Sequence, residues 1–118
     1  MTRHVFTLDL RDDPAAIAEY RRQHERVWPE VIESLRRSGV DEMEIHLLGR
    51  RLVMIVEMRD GADYQRAFAT HVASSPRVAE WEQMMKGLQE RAPGARSGEW
   101  WAAMDPVFSL NGNGARAR

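Results

Sequence analysis

One short segment of the chain carries three side chains suited to handling protons and polar ligands. Tyr20 and His24 are four residues apart, and Trp28 follows after four more. On an α-helix, residues at this spacing lie on the same face. An imidazole titrates near neutral pH, a phenol donates and accepts hydrogen bonds, and an indole offers a flat apolar surface with one N–H donor. The segment is therefore a candidate site for holding a small polar molecule and transferring its protons.

The same three residues could instead be half-buried packing residues of an amphipathic helix, which is the commoner role of such side chains. The positions around them favour the functional interpretation. They are strongly polar, so the aromatic residues do not belong to a broad apolar face. A solvent-accessible cleft is therefore favoured over a buried core. These polar neighbours are Glu19, Arg21, Arg22, Gln23, Glu25 and Arg26.

Further residues are candidates to complete such a site. His46 lies on the polar face of a predicted strand, where it could reach a cleft beside the first helix or simply be solvated. Glu80 lies one step off the apolar stripe of the last predicted helix, whereas Trp81 lies on that stripe and is predicted to pack in the core. Trp100 and Trp101 cannot both face inward on a strand. One of them is predicted to be exposed or to meet a partner such as the apolar face of a sugar.

The sequence argues against several other kinds of site. The histidines have no spacing typical of metal ligands, so no metal site is predicted. His4 is predicted to be incidental, and His71 to lie at the surface. The chain has no Gly-rich phosphate loop and no dinucleotide-binding motif. It also has no cysteine, which excludes disulfides and a thiol nucleophile.

The composition of the chain limits the classes of molecule that it could bind and the cellular compartments in which it is expected. The formal net charge is -1, which gives no electrostatic argument for binding nucleic acid or an anionic membrane. No apolar run is long enough to span a membrane, and the N-terminal residues lack the apolar core of a signal peptide. A cytoplasmic protein that acts on a small molecule is therefore expected.

The pattern of hydrophobic residues predicts alternating strands and helices around this segment. Asp13 and Pro14 are typical of a helix start, and Gly39 of a helix end. The predicted strands span residues 5–10, 40–48, 52–58 and 104–110. The predicted helices span 14 to about 28, with a restart at Pro29, then 63–70 and a final helix that begins at Pro76.

This order predicts an α+β fold, the ferredoxin-like split βαβ sandwich with an antiparallel sheet and helices on one face. Residues 52–58 are apolar on both faces, so this strand is predicted to be central. The uncovered face of such a sheet is often buried by a second copy, and a homodimer is therefore expected. Residues 1–110 are predicted to form one domain, and 111–118 a disordered tail.

The residues of the first helix resemble the signature of the L-rhamnose mutarotase family. The resemblance rests on Glu19, Tyr20, His24 and the run Val27-Trp28-Pro29-Glu30-Val31. Shorter strings agree in order along the chain, and the match covers about residues 5–110. These strings are Leu35-Arg36, Ser38-Gly39-Val40, Met43-Glu44-Ile45, Glu80-Trp81-Glu82, Gly98-Glu99 with Trp101, and Phe108-Ser109-Leu110.

The resemblance implies a dimeric ferredoxin-like α/β-barrel fold and an aldose mutarotase that needs no metal or cofactor. It implies that His24 is the proton donor and that Tyr20 contacts the sugar. The rhamnose branch typically has a tyrosine where His46 stands, and a Trp-Trp pair where this chain has Glu80-Trp81. Both are sugar-contact positions, and the chain resembles the L-fucose branch more closely there. Two further residues are predicted to bind sugar, Trp28 and Trp101.

The expected reaction interconverts the α and β anomers of a 6-deoxy-L-hexose, L-fucose or L-rhamnose. Ring opening needs an acid at the ring oxygen and a base at the anomeric hydroxyl. His24 is the expected acid, and the base is left open among Glu80, His46 and a bound water. Two alternatives remain at this point. One is a small dimeric monooxygenase or haem-binding protein of the same fold, and the other is a sugar-binding module without turnover.

Overall fold

The structure, a computed structural model, describes residues 1–111. The predicted tail, apart from Asn111, therefore lies outside the described residues. The strands are β1 (Thr2–Leu10), β2 (Val40–Leu48), β3 (Arg51–Met58), β4 (Gln89–Glu90) and β5 (Ala102–Ala103). The helices are α1 (Pro14–His24), α2 (Pro29–Arg37), α3 (Tyr64–Ala73) and α4 (Pro76–Leu88).

The sheet has the strand order predicted for a ferredoxin-like fold. Its order is β2-β3-β1-β4, all neighbours are antiparallel, and β5 also pairs with β1. The expectation that residues 52–58 form a central strand is confirmed, because β3 pairs with β2 on one side and with β1 on the other. The register sets Ile45 opposite Met54, and Met54 opposite Phe6, so these three side chains share one face.

That face of the sheet carries the core and receives all four helices. Leu52 packs in one buried cluster with residues of α1, α2 and α4, and Met54 packs in another with Ala67 of α3. On the opposite face, Val53 and Ile55 are only partly buried. The helices thus leave one sheet face uncovered, as the α+β prediction requires.

The first helix ends earlier than predicted, at His24 rather than near Trp28. The residue before a proline is disfavoured in the helical region, because the proline ring crowds its backbone. Trp28 accordingly has φ −58° and ψ 133°, and Pro29 begins a separate helix. The break lets the Trp28 side chain point independently of the helix axis of α1.

The predicted strand over residues 104–110 is wrong. Only Ala102–Ala103 pair with β1, and the N–H of Met104 makes one further bond to the Val5 carbonyl at 2.8 Å. Pro106 has no N–H to extend such a ladder, and β4 occupies the remaining edge of β1 beside Asp9 and Leu10. The last described residues instead carry exposed apolar side chains, namely Val107, Phe108 and Leu110.

In the described part of the chain, no helix has the length and apolar character needed to cross a membrane.

Candidate functional site

The C-terminal turn of α1 positions the two central residues of the site. Asp13 caps the helix by accepting a hydrogen bond from the Ala15 N–H at 3.0 Å, and Pro14 occupies its first turn. Tyr20 and His24 then fall on the same face, as predicted, and their rings stack with centroids 4.2 Å apart and planes inclined by 28°. Tyr20 is buried and His24 is half-buried, so the imidazole lies between the core and solvent.

The hydrogen bonding of His24 fixes its tautomer. Its Nδ1 lies 2.8 Å from the backbone carbonyl oxygen of Tyr20. A carbonyl oxygen can only accept, so Nδ1 carries the hydrogen and the lone pair is on Nε2. Burial lowers the pKa of His24 below its ordinary value, and the hydrogen bond to Tyr20 opposes part of that shift. At neutral pH the ring is therefore uncharged, with Nε2 ready to accept a proton.

The Tyr20 phenol is held in its protonated form. Burial is the main reason that its pKa is raised, the Glu82 carboxylate raises the pKa further, and a hydrogen bond with Gln89 acts in the opposite direction. The phenol can therefore serve as a hydrogen-bond donor, and it is not a base at any physiological pH.

One indole packs on the imidazole, and a second indole packs on the first. The Trp81 ring packs edge-on against His24 at 5.4 Å and against Trp28 at 5.2 Å between centroids. Trp81 is buried, which agrees with its predicted place in the core. The guanidinium of Arg77 lies 3.5 Å above the Trp28 ring and fixes it by a cation–π contact. Trp28 thus joins the site although it is not part of α1.

A cleft of about 570 Å³ opens between α1 and the sheet beside these residues. Tyr20 and His24 line it from the helix, and Ile45, Leu47 and Leu52 line it from β2 and β3. Charged side chains of α1 and the residue after it complete its wall; they are Arg21, Arg22 and Glu25. The volume lies within the range of small-molecule sites.

Of the predicted site residues, Tyr20 and His24 line this cleft; Trp28, Trp81 and Trp101 pack behind it, and the remaining two lie away from it. His46 lies on the sheet face opposite the helices, with 61% of its side chain exposed and Nε2 2.9 Å from Glu44. It cannot reach a cleft beside the first helix from that face, so of the two positions that the sequence left open the solvated one is observed. Its role as a sugar contact stays a prediction. Glu80 has 64% of its side chain exposed and pairs with Arg77 at 3.3 Å.

The adjacent tryptophans are both partly buried, so neither is fully exposed, and an interface or ligand contact for one of them stays a prediction. Trp101 packs against the buried cluster that contains Tyr20 and Trp81. Trp100 donates from Nε1 to the Gln89 side chain at 2.8 Å. Because the chain pairs with β1 for only two residues, it does not impose strict alternation on the preceding positions.

Comparison with known proteins decides the family. The family model described as L-rhamnose mutarotase matches residues 3–110. The chain belongs to this family. Membership confirms the predicted fold class and the predicted class of function, a sugar mutarotase and hence an isomerase.

Relatives and solved structures agree with this family. The chain is 42% identical over 114 residues to an L-fucose mutarotase of Xanthomonas campestris pv. campestris, covering 94% of this chain and 90% of that one. It is 29% identical over 93 residues to an L-rhamnose mutarotase of Rhizobium johnstonii, covering 79% and 83%. The crystal structure of an L-rhamnose mutarotase from Formosa agariphila superposes with a TM-score of 0.66 at 20% identity, covering 93% and 99%.

Two residues that the sequence analysis did not select form a polar contact between α3 and α4 in this mutarotase-family chain. His71, predicted at the surface, is buried on the inner side of α3 with 3% exposure. Glu82 lies 3.6 Å from its Nε2. A local signal for Glu82 did exist, because it falls between the buried Val78 and Met85 at helical spacing. A carboxylate within an apolar stripe is unusual and points to a polar partner.

Proposed function

We propose that this protein interconverts the α and β anomers of a 6-deoxy-L-hexose, with L-fucose preferred over L-rhamnose. The observation that carries the proposal is the uncharged His24 ring, whose Nδ1–H is engaged and whose Nε2 lone pair remains for a ligand of the cleft. The preferred sugar is inferred from the relatives, because the L-fucose mutarotase is 42% identical and the L-rhamnose mutarotase of Rhizobium johnstonii 29%.

The chemistry follows from this protonation state. Nε2 of His24 removes the proton of the anomeric hydroxyl, the bond between C1 and the ring oxygen breaks as the aldehyde forms, and the ring oxygen takes a proton from a bound water. Rotation about C1–C2 then presents the other face of the carbonyl. On reclosure His24 returns the proton to O1, and the ring oxygen returns its proton to the water. The proposed role of His24 is therefore that of the base in ring opening, whereas the family resemblance implies a proton donor.

The surrounding side chains are proposed to bind the sugar. Tyr20 supplies a protonated phenol beside the imidazole, and Trp28 and Trp81 supply apolar surface for the C–H face of the ring. Trp101 packs against the same buried cluster from the sheet side and is proposed to support that surface. Arg21 and Arg22 at the wall of the cleft are suited to bind sugar hydroxyls.

We also propose that the protein is a homodimer formed through the uncovered sheet face. Val53 and Ile55 lie on that face and lack a covering helix. Leu48 of the same face is 84% exposed, and Phe108 in the last described segment is 79% exposed. Exposed apolar side chains of this number are typical of an interface. Sedimentation at micromolar concentration tests this; a monomer would contradict it. The cytoplasmic location stays a prediction.

The activity is tested by saturation transfer in proton NMR between the α and β anomeric signals. Wild-type protein, His24→Ala and His46→Ala are compared with L-fucose and with L-rhamnose. His46→Ala is the matched control, since it removes a histidine that lies outside the cleft, and sedimentation verifies that this variant keeps the oligomeric state of wild type. We expect acceleration by wild type and by His46→Ala, a loss in His24→Ala of about 10²-fold or more in the catalysed rate, and a faster reaction with L-fucose.

Three results would contradict the proposal. Full activity in His24→Ala would remove His24 from the chemistry. Sugar-dependent line broadening without exchange would indicate a binding module without turnover. Absence of both effects, together with a Soret band in the purified protein, would indicate the haem-binding alternative.

A further inference from the structure

The cleft beside His24 has two walls of different chemistry. Apart from the small Ala18, the residues that line it from the helix side all carry groups that donate or accept hydrogen bonds. In the described part of the chain, every residue that lines it from the sheet side is aliphatic. This sheet wall consists of Ile45 and Leu47 of β2 and Leu52 of β3. The cleft is thus polar on one side and has no hydrogen-bonding side chain on the other.

Strand pairing places the residues of the sheet wall on one face. Leu47 is paired with Leu52, and Ile45 with Met54. Residues two apart on a strand share a face, so Ile45 and Leu47 project to the same side, the side that carries the helices. Leu52 is fully buried, whereas Ile45 and Leu47 are only partly buried. Leu52 therefore forms the floor of the sheet wall, and the other two side chains keep apolar surface open to the cleft.

This open apolar surface determines which part of a ligand it favours. Ile45 and Leu47 pack at the margin of the buried cluster that contains Leu52 and Tyr20, and their remaining surface faces water in the empty cleft. Covering apolar surface with an apolar group is favourable in proportion to its area. A hydroxyl placed there loses its hydration and gains no hydrogen bond from these side chains. The sheet wall therefore favours a nonpolar substituent.

A 6-deoxyhexopyranose has one such substituent. Its ring carries hydroxyls on C1 to C4 and a methyl group, C6, on C5. C1 and C5 are both bonded to the ring oxygen, so the methyl group lies on the same side of the ring as the anomeric centre. With O1 at Nε2 of His24, the hydroxyls can meet the polar helix side while the methyl group meets the sheet wall. The reverse orientation would desolvate hydroxyls against aliphatic side chains.

We propose that Ile45 and Leu47 bind the C6 methyl group of the sugar and are the residues that select a 6-deoxy substrate. The inference rests on the proposed mutarotation and assigns the part of the substrate that the two side chains contact. It comes from the division of the cleft into a polar and an apolar side.

Three sugars that differ only at C5 test this assignment. L-Fucose carries a methyl group there, D-arabinopyranose a hydrogen, and L-galactose a hydroxymethyl group. We expect wild type to have a kcat/KM for L-fucose about tenfold or more above that for D-arabinose, which is the usual value of one methyl group in an apolar pocket. L-Galactose should be disfavoured by about 10- to 100-fold, because its extra hydroxyl is desolvated without a partner.

Two substitutions place a polar group on the sheet wall. Leu47→Asn is nearly isosteric and introduces an amide, and Ile45→Thr introduces a hydroxyl while keeping the β-branched shape that suits a strand. In each variant the kcat/KM for L-fucose should fall about tenfold, chiefly through a higher KM, because the groups that transfer protons are unchanged. The values for D-arabinose should stay close to those of wild type, so the preference for L-fucose is lost.

Each substitution has a matched control outside the cleft. Ile32→Thr makes the same change as Ile45→Thr on α2, where Ile32 is 39% exposed and does not line the cleft. Leu48→Asn makes the same change as Leu47→Asn at the next residue, which faces the opposite side of the sheet and is 84% exposed. Sedimentation verifies that Leu48→Asn keeps the oligomeric state of wild type, and circular dichroism verifies that all variants fold. Both controls should keep the wild-type preference among the three sugars.

Exchange between the anomeric signals is measured against the concentration of each sugar, and the outcomes separate this inference from the proposed function. If Leu47→Asn and Ile45→Thr lower kcat/KM for all three sugars by the same factor, the sheet wall contacts a part that the sugars share, such as the C–H face of the ring, and the inference is wrong. Equal rates of wild type with L-fucose and D-arabinose would also overturn it. The two variants are independent, so one suffices if the other fails to fold. If wild type accelerates exchange of none of the sugars, the proposed function itself fails.

Discussion

The protonation state of His24 predicts how the catalysed rate depends on pH. Burial lowers the pKa of His24 below its ordinary value of 6.5, so the folded protein keeps this ring uncharged through neutrality. If Nε2 is the base, acidification removes activity only below that lowered pKa. Below that pKa, the catalysed rate should fall about tenfold for each unit by which the pH is lowered, because only the uncharged ring can accept the O1 proton.

The same shift has a consequence for stability, with a sign that can be derived. In the unfolded chain His24 takes up its proton near 6.5, whereas the folded protein resists protonation until a lower pH. The unfolded state therefore binds more protons over this interval, and the free energy of unfolding falls as the pH drops through it. Each unit of difference between the two pKa values is worth about 1.4 kcal/mol. The pKa of His4 is also lowered, mainly by burial, so it contributes with the same sign.

The assay is anomeric saturation transfer between about pH 4.5 and 8, with the uncatalysed rate subtracted at each pH. Thermal unfolding over the same range, for wild type and His24→Ala, isolates the part of the stability change that belongs to His24. His46→Ala, verified by sedimentation to keep the oligomeric state of wild type, serves as the control for histidine removal. A catalysed rate that rises as the pH falls from 7 to 5 would refute the reasoning, because it would make the imidazolium the donor.

Two further changes test how the fold supports the site. Asp13→Ala removes the cap of α1 and should lower the free energy of unfolding by about 1 kcal/mol, measured by urea denaturation; no change would mean that α1 is held by packing alone. Gly39→Ala should cost more than Gly49→Ala. Gly39 has φ +114° and an added Cβ would lie 3.2 Å from that of Ala62, whereas the surroundings of Gly49 are open. We expect roughly 2 kcal/mol against about 1 kcal/mol by thermal unfolding, and equal losses would contradict this account.

Local patterns predicted the parts of the fold that depend on local chemistry. β2 was predicted with its observed bounds, Val40–Leu48, because Met43, Ile45 and Leu47 alternate with polar residues and glycine bounds the segment at both ends. The pairing of Tyr20 with His24 followed from helical spacing alone. The helix end was misplaced because the pattern of aromatic residues continued to Trp28, while backbone crowding at the proline decided the conformation.

Other features of the fold depend on contacts between residues that are distant in sequence, and the local sequence pattern does not predict them. His71 is buried because Ser34 and Glu82 reach it from two other helices, a contact that no spacing along α3 can reveal. The strand predicted at residues 104–110 failed because the edge of β1 was already shared by β4 and β5. His46 was correctly predicted to lie on the polar face of its strand. Which face of the sheet packs against the helices, however, depends on the pairing of β2 with the other strands.

The imidazole of His24 takes its orientation from its own helix, through the carbonyl and the ring of a residue one turn earlier. The atom that we propose transfers the proton is therefore oriented by contacts within one helix. Side chains that read the hydroxyl pattern of a sugar can come from the sheet and from α4. Substitutions there, other than at Trp81, which packs on the ring, can change which sugar is accepted without readjusting the imidazole. A fold organised in this way separates the reaction from its substrate range, so that new specificities can arise by changes that leave the chemistry intact.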